Sequence, residues 1–180
     1  MQILVDGDVV LYMALHSADE DTIESCIERY VGILTDVAEL HFVEADNLEV
    51  FLSDPNTNFR KINYPSYKAN RKSRVAPTHL PALKQWVFDN VENVKGSPNG
   101  EADDYMLIRA AELDEEGLPW VIATIDKDLL THPGRFYNLR RRDWETVSGD
   151  EAYLFMIQQF VMGDPGDCIG GIRGFGPKKT

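Results

Sequence analysis

The sequence predicts an α/β fold, a mainly parallel central sheet flanked by helices. Three observations predict it. Short apolar runs rich in β-branched residues each stop at an aspartate, and segments with apolar residues at helical spacing lie between them. The chain is 180 residues long and 43% hydrophobic, which suits one domain with a sizeable core. Strands that alternate with helices pair in parallel and are covered on both faces.

In chain order, ILV at 3–5 runs into Asp6, and Ile23, Ile27, Val31, Leu34 and Ala38 then repeat at helical spacing. VFLS at 50–53 is the second run and ends at Asp54. Residues 55–77 show neither period, and Pro65 and Pro77 punctuate them before Thr78, a residue suited to cap the next helix. They read as a basic excursion. Leu80, Leu83 and Val87 mark a helix, as do Ala102, Met106, Ala110 and Leu113. VIATI at 121–125 is the third run and ends at Asp126; Ala152, Phe155, Met156 and Phe160 define the last helix. Ligands of open α/β sheets collect at the carboxyl ends of the strands, so the terminal aspartates are expected to share one cleft.

The net charge of −12 argues at first against a polyanionic partner. Its distribution reverses that. Residues 1–54 hold thirteen acids and one base, Arg29, whereas residues 55–88 hold seven bases (Arg60, Lys61, Lys68, Arg71, Lys72, Arg74, Lys84) and no acid. Laced with Tyr64, Tyr67 and Asn70, that stretch has the makeup of a phosphate-binding surface. A run of Arg140, Arg141 and Arg142 could also reach a nucleic acid, although such runs are usually solvated faces. No apolar run is long enough to cross a membrane, and MQILVD lacks the basic start of a secretory signal. Cys26 and Cys168 form no metal spacing and fit a reducing, intracellular setting. The four histidines show no ligand spacing.

The C-terminal stretch GDPGDCIGGIRGFGPKKT, residues 163–180, fails as a nucleotide loop because Pro177 stands where a Walker motif needs lysine. It reads as tight turns that offer backbone N–H groups to a sugar-phosphate chain. The division expected is a core over 1–162, including the basic segment 55–77, followed by this motif over 163–180.

NGEADDYM at 99–106 crowds three carboxylates at the mouth of a helix. One or two are explained by the helix dipole; three repel unless a cation sits among them. Together the candidate acids are Asp6, Asp54, Glu101, Asp103, Asp104, Asp126, Asp128, Asp164 and Asp167. A set of carboxylates without histidine or cysteine favours Mg²⁺ or Mn²⁺ over zinc, and so many ligands suggest two ions.

YKANR at 67–71, EADD at 101–104, TIDKD at 124–128, GDPGD at 163–167 and GIRGFGPK at 171–178 resemble, in order, the motifs of the 5′ nuclease or flap endonuclease superfamily. The resemblance implies a PIN-like nuclease core followed by a helix-hairpin, and metal-dependent 5′ to 3′ exonuclease or flap endonuclease activity on DNA that leaves a 5′-phosphate and a 3′-hydroxyl. It implies that Asp6, Asp54, Glu101 and Asp103 hold one metal ion and Asp126, Asp128, Asp164 and Asp167 the other, with Asp104 between them. Lys68 and Arg71 would then contact the scissile phosphate, with Tyr67, Lys72 and Arg74 beside them, and Tyr12 would stack on a base near the cut. Gly171, Gly174, Gly176 and Lys178 would grip duplex DNA, with K⁺ on the hairpin carbonyls. Cys168 and Gly170 depart from the asparagine and proline that many relatives carry. The chain stops at Thr180, where the hairpin's second helix is expected, so the motif reads as truncated. The implied setting is the cytoplasm of a bacterial cell or phage-infected host, with a monomer acting on duplex 5′ ends, flaps or RNA–DNA hybrids, alone or beside a replication protein. A PIN-type ribonuclease and a non-catalytic DNA-binding accessory protein are the alternative readings.

Overall fold

The computed structural model describes residues 1–15, 22–41, 44–54, 58–71 and 75–175. Strand β1 (Gln2–Asp6) buries Ile3, Leu4 and Val5 completely. Asp6 then caps α1 (Gly7–Ala14) by accepting the Val9 N–H. Helix α2 (Ile23–His41) turns Cys26, Tyr30 and Val37 inward. After β2 (Leu48–Ser53), Asn58 caps the short α3 (Phe59–Asn63). There follow α4 (Leu80–Asn90), β3 (Val94–Ser97), α5 (Ala102–Glu115), β4 (Trp120–Thr124), β5 (Gly134–Asn138) and β6 (Asp143–Val147). A capping box between Ser148 and Glu151 starts α6 (Gly149–Met162), and β7 (Gly163–Asp164) pairs with β8 (Ile169–Gly170) beyond it.

The main sheet has the order β3-β2-β1-β4-β5-β6, parallel throughout except for β6, which runs antiparallel to β5. Side chains alternate across it. Ile3, Val5, Val50, Leu52, Val121 and Ala123 meet α1, α2 and α4, while Leu4, Phe51, Trp120, Ile122 and Phe136 meet α5. The two central strands are buried on both faces, which is why they read as unbroken apolar runs. Among the described residues, no helix is long and apolar enough to cross a membrane. Cys26 and Cys168 are both free thiols.

Three strands of the main sheet, the short β7–β8 pair and the helices α1 and α3 escape the sequence reading. β3 is a four-residue edge strand, and β5 and β6 form a hairpin whose outer strand is largely exposed. α1 follows β1 without a break, so its apolar run hides the change of period. The last helix differs from expectation in another way. Of its apolar repeat only Ala152 is buried, and Phe160 is 78% exposed. α6 packs mainly on the turn at Lys127–Thr131 and on β7, and regular spacing alone does not say whether a helix face finds a partner.

Gly7 shows why the β1–α1 junction is so tight. A Cβ there would lie 2.7 Å from the Phe51 carbonyl oxygen and 2.8 Å from the Leu52 side chain. Gly7→Ala is expected to cost ~1–3 kcal/mol through overpacking, read as a lower melting temperature. An unchanged melt would show that β2 yields to a methyl group at no cost.

Candidate active site

A cavity of about 1420 Å³ opens at the carboxyl ends of the strands, lined among others by Asp6, Tyr12, Lys68, Arg71, Glu101, Asp103, Asp126 and Arg140. Its floor is built on Asp6. That carboxylate is 6% exposed and accepts hydrogen bonds from Val9 N–H at 3.0 Å and Thr124 Oγ1 at 2.8 Å. Burial pushes its pKa up to about 7; the two hydrogen bonds oppose the rise, and Asp8 and Asp126 add to it. Asp126 caps the turn after β4, with its N–H on Thr124 Oγ1 and its carboxylate on Asp128 N–H. The Thr124 hydroxyl thus joins Asp6 to Asp126.

The first wall is the N-terminus of α5. Both Glu101 oxygens accept from Lys68 Nζ at 2.8 Å, one also from Tyr67 Oη at 2.6 Å and the other from Asn58 Nδ2 at 3.1 Å. Burial alone would raise the Glu101 carboxyl, but Lys68 and Tyr67 hold it below the usual carboxylate range. Asp103 behaves in the opposite way. Burial, with Glu101 and Asp104 nearby, pushes it up to about 6.

Asp104 is engaged elsewhere. Arg60 grips it with both terminal nitrogens, one at 2.6 Å, and it also accepts the Glu101 N–H at 3.0 Å. Asp104, the acid expected between the two metal ions, is thus the residue through which Arg60 ties α3 to α5. Tyr67, expected beside the nucleic acid, is 5% exposed with its hydroxyl on Glu101, so it orients that carboxylate at the cavity wall.

Lys68 takes a left-handed φ of 51°, a region in which a Cβ crowds the following carbonyl and which lysine rarely adopts. Its N–H donates to the Asp167 carbonyl at 3.0 Å, which holds the turn. Arg71 pairs with the Asp167 carboxylate at 2.7 Å. Asp164 closes its own turn by accepting Gly166 N–H at 2.7 Å, and Asp128 accepts from the Gln159 amide of α6. Burial raises the Asp128 carboxyl, and Asp126 and Asp164 add to the rise, which places these three acids together.

Tyr12 is 47% exposed beside the cavity rather than packed in the core. Asp54 follows β2 directly, half-buried and engaged with neighbouring groups. Gly171 packs on α6, where a Cβ would collide with the Met162 carbonyl, and Gly174 is exposed with φ 90°. Lys72, Arg74, Gly176 and Lys178 lie outside the described residues.

Several site residues escape sequence reading because their partners are remote. Asp8 accepts Ser53 N–H at 3.0 Å and pairs with Lys84 at 3.5 Å; Lys84 donates to the Ser53 carbonyl, and Ser53 Oγ accepts Ala102 N–H at 2.9 Å. This clamp fixes the end of β2 against the first turn of α5. Nothing in the local sequence of Asp8 or Lys84 signals it.

Among the described residues, no three acidic side chains already form a closed metal cage. The acids nonetheless sort into two groups. Glu101, Asp104 and Asp167 each carry an ion pair, whereas Asp6, Asp103, Asp126, Asp128 and Asp164 carry none among the described residues. Within the second group, Asp6 and Asp103 sit above the normal carboxylate range. Crowded carboxylate oxygens without basic partners fit a hard divalent cation.

Comparison with known proteins agrees with this architecture. The family model described as "5′-3′ exonuclease, N-terminal resolvase-like domain" matches residues 1–147. Flap endonuclease Xni of Shewanella putrefaciens is 27% identical over 192 residues, covering 99% of this chain and 71% of that protein. DNA polymerase I of Treponema pallidum is 30% identical over 136 residues, covering 67% of this chain and 13% of the polymerase. A bacteriophage T5 5′-exonuclease with bound zinc superposes with a TM-score of 0.73 at 20% identity, over 99% of this chain and 72% of the phage chain. A T5 flap endonuclease complex with DNA and metal ions gives a TM-score of 0.72 at 20% identity, over 97% and 71%. The match across residues 1–147, laid over a parallel sheet with carboxylates at its strand ends, places the chain in the 5′-3′ exonuclease family of nucleases.

Proposed function

We propose that the chain is a divalent-metal-dependent 5′ nuclease that hydrolyses DNA phosphodiesters near a 5′ end or flap, leaving a 5′-phosphate and a 3′-hydroxyl. The observation that carries this reading is the cavity in which Asp6, Glu101, Asp103 and Asp126 face Lys68 and Arg71. Asp6, Asp54, Glu101 and Asp103 would hold one ion, and Asp126, Asp128, Asp164 and Asp167 the second. Such ions supply Lewis-acid polarisation of the phosphoryl group and a more acidic attacking water.

The chain's own residues do the rest. Lys68 and Arg71 bring positive charge to the phosphate, where it counts most as negative charge develops in the transition state. Tyr67 and Asn58 keep Glu101 oriented while its ammonium partner turns to the substrate. The exposed ring of Tyr12 offers a stacking surface for a base. Lys72 and Arg74 would extend the basic segment, and Gly171, Gly174, Gly176 and Lys178, with K⁺, would hold the duplex in a motif separate from the 1–162 core. DNA as substrate is supported by the relatives named flap endonucleases and by the phage complex with DNA. The enzyme would act as a soluble monomer in the cytoplasm, with a replication protein as its partner.

The test uses end-labelled duplex, 5′-flapped, RNA and RNA–DNA hybrid substrates with Mg²⁺ or Mn²⁺. Cleavage from the 5′ side, stopped by a chelator, is expected. A preference for single-stranded RNA would favour a PIN-type ribonuclease. Binding without any cleavage would favour an accessory protein.

A further inference from the structure

The three consecutive arginines of the β5–β6 turn are not equivalent. Arg141 pairs with Asp143 at 3.1 Å and Glu145 at 3.3 Å, and Arg142 pairs with Asp36 at 3.0 Å. Arg140 forms no ion pair among the described residues and lines the cavity instead. Its backbone is held firmly. Asn138 Oδ1 accepts the N–H groups of Arg140 at 3.1 Å and Arg141 at 2.9 Å, and Leu139, 7% exposed, donates its N–H to the Thr124 carbonyl at 3.1 Å. Thr124 is the residue whose hydroxyl pins Asp6. The Arg140 backbone is therefore tied to the acidic floor through Leu139 and Thr124, and the residue lines the cavity above it.

Its position in the sheet gives it a distinct task. The basic segment leaves the end of β2, and its Lys68 rests on Glu101 before α5; Arg140 leaves the end of β5. β1 and β4 lie between. Three strand spacings separate the ends of β2 and β5, ~14 Å in all. Cations thus stand on both sides of the floor. A strand lying across the floor therefore meets a cation on each side, a few nucleotides apart.

We propose that Arg140 is a backbone anchor that grips one phosphodiester of the nucleic acid, a few nucleotides from the phosphate beside Lys68 and Arg71. This rests on the nuclease reading above. A planar guanidinium matches two phosphate oxygens at once, and a rigid turn loses little entropy in presenting it. The contact is made equally in ground and transition states. It should therefore affect binding and leave saturated turnover alone.

The experiment compares the unaltered chain with Arg140→Ala and Arg141→Ala on a 5′-flapped duplex. Binding is measured by anisotropy in chelator over a series of salt concentrations, and turnover in Mg²⁺. A single methylphosphonate is then moved along the strand. Arg140→Ala is expected to weaken binding several-fold, make the slope of log Kd against log salt shallower by about 0.9, and leave kcat unchanged. Arg141→Ala should match the unaltered chain. One methylphosphonate position, a few nucleotides from the cut, should weaken binding by the unaltered chain and not by Arg140→Ala. If Arg140→Ala and Arg141→Ala bind alike, or every methylphosphonate penalty survives in Arg140→Ala, the anchor is disproved while the nuclease reading stands. If the unaltered chain neither binds nor cuts DNA, both fall.

Discussion

Asp6→Asn is expected to abolish cleavage and, in chelator at pH 8, to raise the melting temperature. The sign follows from where the proton sits. The Asp6 carboxyl rises from 3.8 to about 7 on folding, so between those values the folded chain holds a proton that the unfolded chain releases. Stability from this group is full below the unfolded value and is lost as pH rises through about 7. Above that point the fold contains a buried charge. A rise of this size sets an upper bound on the order of 4 kcal/mol for the cost of that charge. Asparagine removes the charge, keeps an oxygen for Val9 N–H, and can donate to Thr124 Oγ1. With a hydrogen bond of about 1 kcal/mol weakened, a net gain of ~1–3 kcal/mol remains, or several degrees for a chain of this length. At pH 5, where the native carboxyl is protonated, the gain should shrink towards zero. A variant that melts lower than the parent at both pH values would contradict this account of Asp6.

On the proposed reading, Lys68→Ala is expected to lower kcat by roughly 10²–10³ with a smaller change in substrate affinity, because the ammonium would act on charge that develops during reaction. The substitution has a structural side too, since Glu101 loses the donor to both of its oxygens. Lys68→Gly separates the two effects. It removes the same ammonium but accepts the φ of 51° without strain. The glycine variant is expected to be more stable than the alanine variant by about 1 kcal/mol and equally slow. Recovery of activity in the glycine variant would place the role of Lys68 in backbone shape instead of charge.

What the sequence reveals of this molecule follows from its physics. Ile3–Val5 and Val121–Ala123 lie in strands buried on both faces, so their composition alone shows them. The aspartates that end these runs are legible for the same reason, because a polar residue at the end of a buried run stands out. β3 and β6 are edge strands, and an edge needs no such composition. The acid-rich α5 start is visible as EADD, yet the separate fates of its acids are not. Whether Asp104 meets a metal or a guanidinium depends on Arg60, 44 positions earlier. Whether Tyr67 meets DNA or a carboxylate depends on Glu101, 34 positions later. Three adjacent arginines look identical in sequence and differ only in whether an acid lies within reach.

The Thr124 hydroxyl that holds Asp6 lies 118 positions from it along the chain. During synthesis β1 and β2 leave the ribosome long before β4, and β1 has one unpaired edge until β4 arrives. The Asp6–Thr124–Asp126 link is thus a late product of folding. A chain that has not yet paired β4 with β1 carries Asp6 without the Thr124 hydroxyl that holds it.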